Sequence, residues 1–125
     1  MPETTRSPKG EYPHSAAVHQ QNLESEAEKL VQRLGDHSRQ SESLARESGV
    51  SVVMMAMQSG DDLPEHAADG VVTVQLVRGR VSVSANDETL ALQPGHMLVF
   101  QPGVRHALHA EEQSVVLLIV TGGAA

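Results

Sequence analysis

Two stretches decide the fold: residues 60–79 read GDDLPEHAADGVVTVQLVRG, and residues 95–106 read GHMLVFQPGVRH. In both, short apolar or β-branched runs are bounded by turn-forming residues, chiefly Gly, Pro and Asp. The run Val71–Val77 has the length and composition of a strand and is too short for an average helix. The two stretches therefore predict short strands that are joined by tight turns.

The same pattern extends outward from these stretches, from Val50 to Val120. Turn signals separate the predicted strands, which are Val50–Gln58, Val71–Val77, Val81–Ser84, Thr89–Leu92, Met97–Phe100, His106–His109 and Val115–Val120. Short strands at this spacing, with no helical pattern between them, predict an antiparallel sandwich or barrel. The last strand does not alternate, so both of its faces should be covered, one by the core and the other by a second subunit.

The first fifty residues have a different character, because polar residues predominate there. Residues 1–13 contain three prolines and predict a flexible polar tail. From Ser15 to Leu34 the spacing predicts one amphipathic helix, packed over the mouth or the side of the barrel. Its apolar positions are Leu23, Ala27, Leu30, Val31 and Leu34. The polar segment that follows is predicted to hold a short strand at Glu42–Arg46.

These patterns divide the chain, whose length suits a single domain, into four parts. The flexible tail at 1–13 precedes a helix and connecting segment at 14–48. The β-barrel follows at 49–121, and a short C-terminal tail at 122–125 ends the chain.

Composition excludes several classes of partner and site. Nine Lys and Arg against sixteen Asp and Glu give a net charge of −7, which disfavours nucleic acids and anionic membranes as partners. The absence of Cys removes disulfides, thiolate metal sites and cysteine nucleophiles. No apolar run is long enough to span a bilayer. We therefore expect a soluble, cytoplasmic protein.

At Gly60 the sequence begins to resemble the cupin superfamily, in its small single-domain form. The first cupin motif runs Gly, five residues, His, one residue, His, three or four residues, Glu, six residues, Gly. Gly60, His66 and Gly79 match its first, second and last positions. The sequence departs from the motif at Ala68, where the family has the second His, and at Val72, where it has Glu.

The second cupin motif runs Gly, five residues, Pro, one residue, Gly, two residues, His. Gly95, Gly103 and His106 match it, whereas Gln101 holds the Pro position and Pro102 follows. Fifteen residues separate the two motifs, a short gap that is typical of compact bacterial members. The resemblance implies an all-β, cupin-type jelly-roll barrel with an N-terminal helix added to it. A homodimer is expected, because the edges of a jelly roll need cover.

The resemblance also bears on metal binding. In the family, the two His and the Glu of the first motif join the His of the second around one divalent metal. The resemblance implies only His66 and His106 as ligands here, for a metal such as Fe, Mn, Ni, Zn or Cu. Two imidazoles make a weak site, because bound metals usually have three or more protein ligands. Strand parity turns Val72 inward and Gln75 outward, so Gln75 does not replace the missing Glu.

Two functions follow from these residues. The first is a barrel that binds a small, largely apolar molecule next to His66 and His106, with at most a weak divalent-metal site. The alternative is a metal-dependent enzyme of the dioxygenase, isomerase or lyase type, acting on a small organic substrate; no catalytic residue is assigned. Loss of the ligands at Ala68 and Val72 favours the first. Two plainer interpretations remain open: a histidine pair that only hydrogen-bonds within the core, and a structural accessory subunit.

Overall fold

The computed structural model describes residues 17–122; the predicted tail at 1–13, and all of the tail at 122–125 except Gly122, lie outside them. One helix, α1 (Leu23–Leu34), precedes the strands. The strands are β1 (Arg39–Glu47), β2 (Val50–Met57), β3 (Asp62–His66), β4 (Val71–Arg78), β5 (Val81–Ala85), β6 (Glu88–Leu92), β7 (Met97–Phe100), β8 (His106–Ala110) and β9 (Ser114–Thr121). Within the described residues, no helix is long and apolar enough to cross a membrane.

The strands form two antiparallel sheets that face each other across one core. The larger sheet has the order β1-β2-β9-β4-β7, and the smaller has the order β3-β8-β5-β6. Val74 and Leu76 from the larger sheet pack with Val83 and Leu108 from the smaller one, and all four are fully buried. The predicted all-β jelly roll is therefore confirmed.

Strand β4 alternates as the sequence indicated. Val72, Val74 and Leu76 are buried in the core between the sheets, whereas Thr73 and Gln75 on the other face are partly exposed. The position that carries Glu in the cupin motif is thus part of an apolar wall. Gln75 lies on the face away from the core, as predicted.

Helix α1 lies against the outer face of the larger sheet, on the side of the barrel. Its buried residues Ala27, Leu30 and Leu34 pack with Met54 of β2 and Leu117 of β9. The predicted amphipathic helix is present, but it begins at Leu23 rather than at Ser15.

The cap at Asn22 explains where α1 begins. Asn22 has an extended backbone, and its side-chain oxygen accepts a hydrogen bond from the Ser25 amide at 3.0 Å. An Asn in this position accepts a hydrogen bond from an amide that has no partner within the helix, and it therefore marks where the helix begins. The residues from 17 to Asn22 are therefore not helical.

Strand β9 is covered on both faces, but the second cover is not another subunit. Val115 and Leu117 face α1, whereas Val116 faces the core between the sheets. The prediction that both faces of β9 are covered is confirmed. The prediction that a second subunit covers its outer face was wrong. The helix of the same chain buries that face.

Strand β1 is longer than the short strand predicted within the connecting segment, and it joins the larger sheet beside β2. Its pairing with β2 shifts between Ser43 and Ala45. The consecutive residues Leu44 and Ala45 are both buried there, which breaks the alternation that identifies a strand. The predicted strand is therefore present, and the bulge explains why only its central part was recognised from the sequence.

Strand β3 is absent from the strands that were predicted from the sequence. It pairs with β8 at the edge of the smaller sheet, and its register is irregular between Leu63 and His66. Pro64 lies within it and lacks an amide hydrogen, which confines such a residue to edge strands. A proline beside acidic residues has the sequence character of a loop, although an edge strand tolerates it.

Candidate functional site

His106 is the first residue of β8 and is held in the barrel interior. Its side chain alternates inward with those of Leu108 and Ala110, and only 2% of its surface is exposed. The preceding turn at Gly103 is tied to the first motif, because the Gly103 amide donates to the Ala68 carbonyl at 2.9 Å. This hydrogen bond joins the first motif to the second at the turn that precedes β8.

His66 ends β3 and is the cross-strand partner of His106. The centroids of the two imidazole rings are 4.4 Å apart, and the rings are tilted by 59°. The predicted convergence of these two residues is thus present, and we call them the histidine pair. His66 is exposed, however, whereas His106 is enclosed by the barrel. Its place at the end of an irregular edge strand leaves one side of its ring open.

Phe100 completes the cluster and was missed from the sequence. Its ring stacks on that of His106, with centroids 4.6 Å apart and planes only 7° from parallel. Phe100 reaches His106 from the opposite sheet, where it is the cross-strand partner of Val72. One signal could have found it: it is one of only two aromatic residues in the chain, and it ends the strand before the second motif's turn.

The two imidazoles have the same backbone contact. His66 Nδ1 lies 2.9 Å from the Pro64 carbonyl oxygen, and His106 Nδ1 lies 3.1 Å from the Val104 carbonyl oxygen. Each contact joins a ring to the residue two positions earlier. These bonds fix the orientation of both rings and leave the Nε2 atoms for other partners.

Burial decides the charge of His106. Removal from water lowers the pKa of His106 below its ordinary value, and a positive charge on His66 would lower this pKa further. The hydrogen bond with the Val104 carbonyl acts in the opposite direction without cancelling the effect of burial. His106 is therefore a neutral imidazole at pH 7.

A cleft of about 540 Å³ lies close to the pair, although neither histidine lines it. Its volume is within the range of small-molecule pockets, about 300–1,000 Å³. Phe100 and Val104, which both contact His106, lie on its wall. We call this the side cleft; its lining residues are Ala85, Asn86, Glu88, Leu90, Val99, Phe100, Gln101 and Val104. Most of them are apolar, with two amides and one carboxylate among them.

The side chains at this site do not make up the metal centre of the family. Ala68 packs against the core and Val72 is part of it, so neither supplies a ligand. Among residues 17–122, no group of three or more His, Asp or Glu is placed to hold an ion. The two imidazoles alone fall short of the three or more protein ligands of a stable site.

The polar residues around the pair have other partners. His109 faces outward, and its Nδ1 lies 2.6 Å from Asp62 Oδ1. This hydrogen bond raises the pKa of His109. Glu65 pairs with Arg105 at 3.1 Å, so it does not orient His66.

Comparisons with known proteins agree with this architecture. The AraC-like ligand binding domain family matches residues 48–121. No curated protein matches the sequence. A conserved protein of unknown function from Streptococcus pyogenes is similar in structure, with a TM-score of 0.65 and 24% identity over 70% of this chain and 76% of that one.

Two further solved structures show the same fold. A cupin superfamily protein from Desulfitobacterium hafniense has a TM-score of 0.66 and 19% identity, over 68% of this chain and 78% of that one. Salicylate 1,2-dioxygenase from Pseudoaminobacter salicylatoxidans has a TM-score of 0.72 and 18% identity, over 81% of this chain but 32% of that one. At these identities the likeness concerns the fold alone. Because the family match covers more than half of the 125 residues, the chain belongs to the AraC-like ligand binding domain family of cupin-type barrels.

Proposed function

We propose that this protein binds a small, largely apolar molecule beside the histidine pair. The observation that carries the proposal is His106, a buried neutral imidazole in ring contact with both Phe100 and His66. A polar group in this position is costly to bury, and its open nitrogen gives an apolar site one directional contact. Membership of a ligand-binding family supports the same function.

The side cleft supplies the apolar surface that such a molecule needs. Ala85 is the cross-strand partner of His106, and Leu90 and Val99 extend the apolar wall from it. Burial of apolar surface contributes about 25 cal/mol per Å², so a ligand burying about 200 Å² gains about 5 kcal/mol before the cost of association. Apolar contact alone therefore gives weak binding, and the imidazole contact adds selectivity.

The test compares variants on the two faces of β8. In a screen of small aromatic and alicyclic compounds followed by imidazole NMR signals, we expect binders whose effect disappears in His106→Ala and persists in His109→Ala. His109 is the matched control, because it lies on the same strand and faces solvent. If His106→Ala does not fold by circular dichroism, Phe100→Leu replaces it. Compounds that bind the variants and the natural chain equally would overturn the proposal, as would a screen without binders.

We infer further that a divalent transition metal, whether Fe, Mn, Ni, Zn or Cu, is held only weakly by His66 and His106. The metal-dependent enzyme is the weaker candidate, because its chemistry needs a third ligand that residues 17–122 do not bring to the pair. Elemental analysis of untagged protein should find metal far below one equivalent, and His66→Ala should change this little. Near-stoichiometric metal that is lost in His66→Ala would establish the metal centre instead.

A further inference from the structure

On the side of β3, the barrel is closed over His106 by His66. Only 2% of the surface of His106 is exposed, whereas His66, whose ring centroid lies 4.4 Å away, is exposed. The ring of His66 therefore lies between His106 and solvent on this side. Its Nδ1 hydrogen-bonds to the Pro64 carbonyl oxygen of its own strand, so the ring follows any movement of that strand. A molecule that contacts the His106 ring needs an opening in this cover.

The cover belongs to a weakly packed segment, residues 64–69, which we call the flap. The flap spans the irregular end of β3 and the connection to β4. All of its residues except Ala68 are exposed, and Pro64 has no amide hydrogen to give to β8. Segments with few buried apolar contacts open locally at a free energy well below that of global unfolding. The flap can therefore open while the barrel stays folded.

Both ends of the flap are fixed. Leu63, which precedes it, is the cross-strand partner of Leu108 and packs against the core. Gly70, which follows it, is buried, and a Cβ placed there would overlap the Thr121 carbonyl oxygen. Movement is therefore confined to the six residues between these two points.

Two polar contacts hold the flap against the turn that precedes β8. Glu65 pairs with Arg105 at 3.1 Å, and more than half of each side chain is exposed. The Gly103 amide donates to the Ala68 carbonyl at 2.9 Å. Because an exposed ion pair stabilises a protein only slightly, the flap is released at a small cost in free energy.

The same turn separates the side cleft from His106. Gln101 and Val104 of the turn line the side cleft, whereas neither histidine does. Val104 also contacts the His106 ring, since its carbonyl oxygen lies 3.1 Å from His106 Nδ1. Because the flap binds this turn at Gly103, release of the flap loosens the wall between the side cleft and the imidazole.

We infer, resting on the proposed function, that the flap is a gate that opens to let a small apolar molecule reach His106, and that the Glu65–Arg105 ion pair latches it. Opening moves the ring of His66 away from that of His106 and releases the turn at Gly103. Binding that waits for such an opening is slower than binding to a preformed pocket. Weakening the latch should therefore speed both opening and binding, and should leave the barrel folded.

Hydrogen exchange of two backbone amides tests the gate in the natural chain. The Gly103 amide donates to Ala68 in the flap, whereas the Ala110 amide donates to Asp61 outside it. After correction for intrinsic rates, we expect Gly103 to exchange faster than Ala110 by about tenfold or more, because its bond breaks on local opening. Equal protection would mean that the flap opens only with the whole barrel, which would overturn the inference.

Two variants that each remove one charge test the latch. Glu65→Gln should raise the exchange rate of the Gly103 amide about two- to fivefold, the effect of losing one exposed ion pair. Glu112→Gln is the matched control, because Glu112 pairs with Arg80 at 3.9 Å outside the flap and is similarly exposed. It should leave the Gly103 rate unchanged. An unchanged Gly103 rate in Glu65→Gln would refute the latch.

A thiol reports access to position 106 directly. The natural chain contains no Cys, so His106→Cys and Val83→Cys each carry one thiol, at positions that are 2% and 0% exposed. With methyl methanethiosulfonate, a small uncharged reagent, labelling at position 106 should be faster by about tenfold or more. Adding Glu65→Gln should speed labelling at 106 and leave position 83, which lies on β5 outside the flap, unchanged. Equal rates at the two positions would overturn the gate. If His106→Cys does not fold, the exchange of the natural chain decides.

These measurements need no ligand, so the gate and the proposed function can fail separately. Exchange and labelling as expected, together with a ligand screen that finds no binder, would overturn the proposed function alone. Binders that require His106, together with a Gly103 amide as protected as that of Ala110, would overturn the gate alone.

Discussion

At the scale of single residues, the site depends on one strand's alternation. His106 and His109 lie three positions apart on β8, and the pleat turns one into the core and the other toward solvent. The same imidazole side chain thus has a lowered pKa inside, where burial dominates, and a raised pKa outside, where Asp62 accepts its hydrogen bond. The environment, and not the residue type, decides the charge.

These opposite shifts predict opposite effects of pH on stability. As pH falls below the ordinary pKa of about 6.5, the unfolded chain protonates at His106 before the folded protein does, so the free energy of unfolding decreases. His106→Leu should remove this decrease in denaturant titrations between pH 7 and pH 5. His109 contributes stability that is present below its unfolded pKa and is lost as pH rises through its higher folded pKa. His109→Gln should therefore steepen the loss on acidification, and the same pH dependence in both variants would contradict the assignment.

At the scale of elements, turns and close approaches set where the strands begin and end. Gly79 joins β4 to β5 with a φ of +90°, and a Cβ placed there would lie 2.2 Å from Ser114 Oγ and 2.5 Å from the Gln113 carbonyl oxygen. Ser114 is itself buried and accepts a hydrogen bond from the Arg80 amide at 3.1 Å. A side chain at position 79 would therefore disturb both the turn and the start of β9.

Gly60 provides a matched control for this turn, because it has a φ of +87° and no atom within 4 Å of a Cβ placed there. Gly60→Ala should cost only the left-handed backbone conformation, about 1–2 kcal/mol. Gly79→Ala should cost clearly more, about 3–5 kcal/mol, since a steric clash adds to the strain. Chemical denaturation of the two variants makes the comparison, and equal losses would show that the contact with Ser114 relaxes freely.

The elements also show where sequence patterns fail. Short runs between turn signals identified β4 and β8, and in the structure each has one face in the core and one outside it. Sequence patterns found only part of β1, where a bulge buries two consecutive residues, and missed β3, where Pro64 lies within an irregular register. A periodic pattern is a local signal, and neither of these strands is periodic. Their partners, β2 and β8, stabilise them from elsewhere in the chain.

At the scale of the whole molecule, one sheet edge remains exposed and apolar. Strand β7 ends the larger sheet, and its residues Met97 and Val99 are 59% and 58% exposed. Helix α1 covers the outer face of the same sheet around β2 and β9. The predicted homodimer therefore no longer has β9 as its interface, and β7 is the surface that would gain from a second copy.

We expect a dimer that forms through β7. Sedimentation velocity should give the mass of two chains, and Met97→Lys should shift the protein to a monomer by placing a charge in the interface; Met97, unlike Val99, does not line the side cleft. Val18→Lys is the control, because Val18 is 72% exposed and lies outside the sheets. A natural chain that sediments as a monomer up to millimolar concentration would rule out the dimer. A Met97→Lys variant that stays dimeric would move the interface elsewhere.

The sequence by itself determined the barrel class, the course of most strands and the two histidines at their motif positions. Turn residues, strand-forming runs and the spacing of motif residues are all properties of short segments, so they can be recognised in the sequence alone. Only the tertiary structure decided that Phe100 stacks on His106, that His66 is exposed, and that α1 covers β9. These contacts join residues of different strands or sheets, so they depend on how the sheets pack and on the irregular register of an edge strand. No pattern within a short segment records that packing.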